Sequence, residues 1–180
     1  MSLQETHCTI GASFHPLLVS ELPGKPTSQV QTPHGLALLY KSHLAVKLVY
    51  ALPYDVSCRL EAALWSVQSA EVELLVCGVY APPGLAVKHV LDLVTDILHR
   101  AGDVPTVIMG DFNIDLNKHQ GRAFAATMEE AGLGRSQTGF TTRRRSTLDH
   151  VWSAAAFPAV ETHVGCCSYS DHLPLYGYIA

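Results

Sequence analysis

No stretch of this chain reaches the ~18 consecutive apolar residues that a membrane-spanning helix requires, although hydrophobic residues fill 48% of its 180 positions. The first residues, MSLQETHCTIGAS, lack the basic start and apolar core of a signal peptide. The expectation is an intracellular protein, nuclear or cytoplasmic. Charge is also scarce: Asp, Glu, Lys and Arg together make up 16%, with a net charge of −4. That balance excludes a protein that grips polyanions through its overall charge and leaves only a local basic patch for such a partner. The five cysteines (Cys8, Cys58, Cys77, Cys166, Cys167) are odd in number and hold no CxxC pair. A zinc ribbon and a disulfide framework are thereby disfavoured, and a reducing compartment is favoured. The ten histidines form no HExxH and no tight cluster. Internal repeats, low-complexity tracts and linkers are absent too, so residues 1–180 read as a single domain.

What the chain does have is a run of strand-like segments. Gly11 to His34 carries Pro16, Pro23, Pro26 and Pro33 among Ser, Thr, Gln and Gly, and reads as a loop region with at most a short helical turn. From Gly35 four apolar runs follow: GLALLYK, AVKLVY, RLEAALWSV and VELLVCGVY. They are separated by turn-prone or charged residues and predict antiparallel neighbours in one sheet. Pro82, Pro83 and Gly84 stop the fourth. Leu85 to Arg100 then places Val87, Val90, Leu91, Val94, Ile97 and Leu98 at helical spacing, with Gly102 as the stop. VPTVIMG reads as a fully buried strand. A second helix is expected over His119 to Ala131, with Phe124, Met128 and Ala131 inward and Gly132 ending it. Further strands are expected at Leu148 to Trp152, Leu173 to Ile179 and near Val160 to Val164. This order predicts an α/β (α+β) sandwich, with two packed, mostly antiparallel β-sheets flanked by helices.

Several short segments carry candidate chemistry. In VIMGDFN, a buried strand delivers Asp111 and Asn113 to its C-terminal end, with Gly110 permitting a sharp turn. A carboxylate beside an amide suits a site that deprotonates water and holds a phosphate oxygen. An Asx turn after a strand, with no function, gives the same letters. In YSDHLP, Asp171 and His172 are adjacent, and within a loop both can face one pocket; a plain turn before a strand is the bland alternative. In LDHV, Asp149 interrupts an apolar strand. A buried carboxylate there costs several kcal/mol unless it is paired, so it needs a histidine or cation beside it. His150 should then point to the opposite face in a structural role. Glu5, near the start of the chain, and Tyr80, at a strand end in GVYAPP, complete the set; alone, the first would be solvated and the second packing.

Taken together and in this order, QET, VYAPP, GDFN, STLDH and YSDHLP resemble the endonuclease/exonuclease/phosphatase superfamily along nearly the whole chain. Within it, QETH, RLEAALWSV, VYAPP and FTTRRRSTLDHVWS are most similar to the endonuclease domains of non-long-terminal-repeat retrotransposons and to abasic-site endonucleases. The resemblance implies metal-dependent hydrolysis of a phosphodiester by water. Glu5 would bind the divalent cation, magnesium or alternatively manganese, with Asp171 near it. Asp111 would activate the water, Asn113 position it or the phosphate, and His172 bond the scissile phosphate. Asp149 would orient that histidine, and Tyr80 would contact the phosphate. Three consecutive arginines, Arg143, Arg144 and Arg145, adjoin Asp149 in sequence. They read either as a solvated loop or as a local contact to nucleic acid, DNA above all. The alternatives are a same-family enzyme for phosphoinositide, sphingomyelin, an RNA tail or tyrosyl-DNA, or an inactive remnant. The family's usual first strand, ending in an asparagine before the QE motif, has no counterpart ahead of Gln4, so the domain is expected to be truncated at its N-terminus.

Overall fold

A computed structural model describes residues 2–4, 27–30, 36–40, 43–70, 72–136, 139–154, 160–166 and 170–179. Glu5 and most of the proline-bearing segment lie outside the described residues. Within that segment, Thr27–Val30 forms a strand where a loop was expected. The described strands are β1 (Ser2–Gln4), β2 (Thr27–Val30), β3 (Leu36–Leu39), β4 (Ala45–Ala51), β5 (Glu61–Gln68) and β6 (Glu73–Tyr80). They continue with β7 (Thr106–Asp111), β8 (Leu133–Arg135), β9 (Asp149–Ala154), β10 (Val160–Val164) and β11 (Leu175–Ile179). The helices are α1 (Val87–Ala101) and α2 (His119–Glu130).

Six strands form the central sheet in the order β4-β5-β6-β7-β9-β8, antiparallel except for the β6–β7 pair. A parallel pair needs a crossover, and α1 supplies it. Its apolar stripe buries Val90, Leu93, Val94 and Ile97, and Gly102 ends it at φ 57° by donating its N–H to the Leu98 carbonyl. In α2, Phe124 and Met128 are buried as expected, but Ala131 is exposed because the helix ends one residue before it. Both helices cover one face of the central sheet, over a core that includes Leu64, Cys77, Ile108 and Trp152.

The other face packs on Leu36 and Leu38 of a three-stranded sheet, β1-β3-β2, and on Val160 and Leu175 of the β10–β11 hairpin. The expected sandwich of sheets with helices is therefore present. One strand changed sheets: the GLALLYK run was expected beside AVKLVY, yet β3 pairs with β1 and β2 in the second sheet. Its residues Leu36, Ala37 and Leu38 are all buried, which suits a strand enclosed in the sandwich and not one at the end of a meander. Among the described residues, no helix is long and apolar enough to cross a membrane.

Candidate active site

Cross-strand register assembles the site. Glu61 pairs with Tyr80, Tyr80 with Asp111, and Asp111 with Asp149, so four neighbouring strands put four polar side chains in one row. Residues directly opposite one another project from the same face. Here that face is the one against β3, and the row lies at the C-terminal ends of the parallel pair. Tyr80 and Asp111 are buried, and the Glu61 side chain is fully so. Glu61 leaves little trace in the sequence beyond a carboxylate at the start of a largely apolar strand.

Past Asp111 the chain turns sharply, with Gly110 at φ 154° and Asn113 at φ 51°. Asparagine is one of the few side chains that tolerate the left-handed region. The turn is locked from within. The Asn113 backbone N–H donates to Asp111 Oδ1 at 2.9 Å, and its Nδ2 donates to Asp111 Oδ2 at 3.0 Å and to the Ala81 carbonyl at 2.8 Å. Local Asx bonding and cross-strand placement thus coexist, so the turn reading and the site reading of GDFN describe the same geometry.

The third and fourth components meet through a histidine. His172 Nδ1 donates to Asp149 Oδ2 at 2.9 Å and lies 3.1 Å from Oδ1, while its Nε2 faces Asp111 Oδ2 at 4.0 Å. The hydrogen bond to Asp149, aided by the charges of Asp149, Asp111 and Asp171 and opposed by burial, pushes His172 up to about 9. The imidazole is therefore a cation at neutral pH, held between two carboxylates. Asp149 has the histidine partner that its place in an apolar strand demanded.

Asp149 is fixed by a threonine on the segment that leads into the three arginines. Thr141 Oγ1 accepts the backbone N–H of both Leu148 and Asp149, each at 3.0 Å. The next residue, Thr142, forms a bridge with His172, and the Arg143 N–H donates to the Asp171 carbonyl at 2.9 Å. The arginine loop is consequently attached to the SDH loop, with Arg143, Arg144 and Arg145 exposed. Asp171 is exposed as well, and Glu5 lies outside the described residues.

Behind the site, His150 is fully buried on the opposite face, as its parity predicted. Its Nε2 lies 2.9 Å from the Ile114 carbonyl and 3.2 Å from that of Thr147, pinning the segment after GDFN to the one before Asp149. The ring stacks on Phe112 at 4.7 Å. Asp115 adds a second pin by accepting the Thr147 N–H at 3.1 Å. Burial works to raise the Asp115 carboxyl, but hydrogen bonds from Thr147 and Asn117 and the charge of Lys118 outweigh it and hold it below the usual range.

Asp111, Asp149 and His172 place ligand-type atoms within 4.8 Å of one another. The Nδ1 of His172 is engaged with both Asp149 oxygens. The cluster is rich in carboxylate oxygens, and these suit a hard divalent cation and not a soft one.

The profile of the endonuclease/exonuclease/phosphatase family matches residues 1–172, and the chain belongs to that family. Its members are metal-dependent hydrolases of phosphodiesters or phosphate esters, and the acidic cluster is of the kind such enzymes need. Among solved structures, the endonuclease domain of TRAS1, a telomere-specific non-LTR retrotransposon, is similar with a TM-score of 0.73 and 16% identity, over 89% of this chain and 81% of that one. The human nocturnin catalytic domain with bound sulfate has a TM-score of 0.66 and 19% identity, over 97% and 77%. A mannosyl-6-phosphatase of Bacteroides thetaiotaomicron has a TM-score of 0.62 and 14% identity, over 91% and 79%. At these identities the likeness is one of fold. No curated protein matches the chain.

Proposed function

We propose that this chain is a magnesium-dependent phosphodiesterase that cuts nucleic acid, DNA in the first place, as an endonuclease. The observation that carries the reading is the Asp149–His172 pair, with His172 facing Asp111 at 4.0 Å and its loop hydrogen-bonded through the Arg143 N–H to a segment with three exposed arginines. In-line attack by water on phosphorus breaks the bond to the leaving oxygen, which departs with the electron pair of that bond and takes a proton from solvent. Asp111 takes the proton from the attacking water, and Asn113 holds the turn that aims it. The His172 imidazolium meets the negative charge that grows on the phosphoryl oxygens, and Asp149 keeps that charge and ring orientation in place. Tyr80, which pairs with Asp111 in the row, would contact a phosphate oxygen.

Glu5 and Asp171 would hold the cation beside Asp111, with manganese as the alternative to magnesium. When bound, it supplies Lewis-acid neutralisation of phosphoryl charge. Arg143, Arg144 and Arg145 are the local basic patch that a chain of net charge −4 needs for a polyanion. The test is nicking of supercoiled plasmid by the folded protein: it should require magnesium, stop with EDTA and disappear in Asp111→Ala. Plasmid left intact by well-folded wild-type protein refutes the reading. Comparing abasic-site duplex with plain duplex then assigns the substrate.

A further inference from the structure

We infer that the loop over residues 139–147 carries a stacking site for an unpaired base of the strand being cut, with Phe140 as its platform. The inference rests on the phosphodiesterase reading and names the form of nucleic acid that the site takes. Phe140 is 40% exposed although it is large and apolar. Other exposed large hydrophobics, such as Val49, Val56 and Val72, belong to the β4 side of the sheet and its turns, so Phe140 stands apart from them, on the loop that is bonded to the SDH loop.

Its surroundings match a nucleotide. The Arg145 guanidinium lies over the ring, 5.1 Å from its centroid. A cavity of about 180 Å³ opens next to the ring, lined by Leu116, Asn117, Arg135, Gly139, Phe140 and Thr147. Among the described residues, Arg135, Arg144 and Arg145 have no carboxylate in ion-pair contact. In an acidic protein, Arg145 over the exposed ring and Arg135 in the wall of the adjoining cavity are complementary to a phosphate backbone with a base attached. An aromatic face and arginines are the combination by which proteins hold single strands. A base within a duplex has both faces covered by its neighbours, so a fixed ring can serve only a base that is unpaired or turned out.

Position ties this platform to the chemistry. Thr142, two residues beyond Phe140, bridges His172. Two residues span at most ~7 Å, or about two base steps along a strand. The stacked base therefore belongs to a nucleotide beside the cleaved phosphate.

The experiment measures kcat and KM for cleavage of a single-stranded DNA oligonucleotide in magnesium, beside the same oligonucleotide built with abasic units. Stacking on an aromatic ring is worth about 5- to 150-fold per base. Phe140→Ala should raise KM for the base-bearing strand by about tenfold or more with kcat within about twofold. It should leave KM for the abasic strand unchanged, and Phe140→Trp should keep the wild-type KM. Melting temperatures of both variants establish that this exposed position leaves the fold intact. Wild-type cleavage confined to fully paired duplex, an unchanged KM in Phe140→Ala, or an equal rise on both strands overturns the stacking site while the phosphodiesterase reading stands. Wild-type protein that cuts neither single-stranded nor duplex DNA overturns both.

Discussion

Mild acid should destabilise this protein, and His150 should be the reason. Burial depresses this histidine from 6.5 to about 4, against the opposing pull of the Thr147 and Ile114 carbonyls on its Nε2. A proton arriving at Nδ1 finds no acceptor among the described residues. The unfolded chain binds that proton below pH 6.5, whereas the folded chain refuses it until about pH 4. Stability is therefore full above pH 6.5, falls as pH drops through the window, and levels off below pH 4. At ~1.36 kcal/mol per unit the loss is ~3 kcal/mol, or ~6–12 °C in Tm for a domain of this size. His172 does not blur the window. Its raised value gives stabilisation that is fully present below pH 6.5 and lost only as pH rises through about 9. Asp55 and Asp115, both held below 3.8, act at still lower pH. The assay is thermal melting from pH 7.5 to 4 of wild type beside His150→Gln, which retains a donor for the two carbonyls but cannot take a proton. The difference in Tm between them should shrink or reverse with acid by the amount above. Parallel curves for the two proteins refute the argument.

Three further outcomes follow from the geometry. A Cβ at Gly121 meets the Asp115 carbonyl oxygen, with the Asp115 carbonyl carbon at 2.6 Å and Leu116 Cα at 2.7 Å, all backbone. Gly121→Ala should therefore cost at least ~1–3 kcal/mol in urea unfolding, and an unchanged midpoint contradicts the close approach. Thr141→Val strands two backbone N–H groups at Leu148 and Asp149, at ~1–3 kcal/mol each. It should lower both Tm and kcat, and a loss of Tm alone means that Asp149 is not positioned this way. Asp149→Asn preserves shape but removes the charge that holds His172 protonated. Phosphodiester hydrolysis should fall ~10²-fold or more in kcat with KM changed little, whereas a loss confined to KM would make Asp149 a binding residue only.

Much of the site was legible because each motif closes or opens a strand. VYAPP ends β6, GDFN ends β7 and LDH opens β9, so polar residues at the ends of apolar runs had to gather at one edge of the sheet. The parity of strand β9 likewise separates Asp149 from His150 without any coordinates. Register was not legible. Nothing in the letters says that Glu61 faces Tyr80, because pairing between strands depends on turn geometry and on what the other sheet covers. Thr141 escaped for a related reason: a hydroxyl that accepts N–H groups seven and eight residues later leaves no trace in composition. The GLALL run was placed in the wrong sheet because a strand enclosed between layers and a strand in a meander both read as apolar. Ala131 was assigned inward by periodicity carried one residue past the last turn of α2.

The row Glu61, Tyr80, Asp111 and Asp149 also makes activity a gauge of folding fidelity. A slip of one residue in the β7–β9 pairing would turn Asp149 away and present His150 in its place, since alternate residues face opposite sides. Such a molecule could keep most of its secondary structure and its helices and still lack the Asp149–His172 pair. Specific activity would then count correctly registered molecules, while circular dichroism would count them all. A preparation in which the two disagree contains misaligned sheets and not merely unfolded chains.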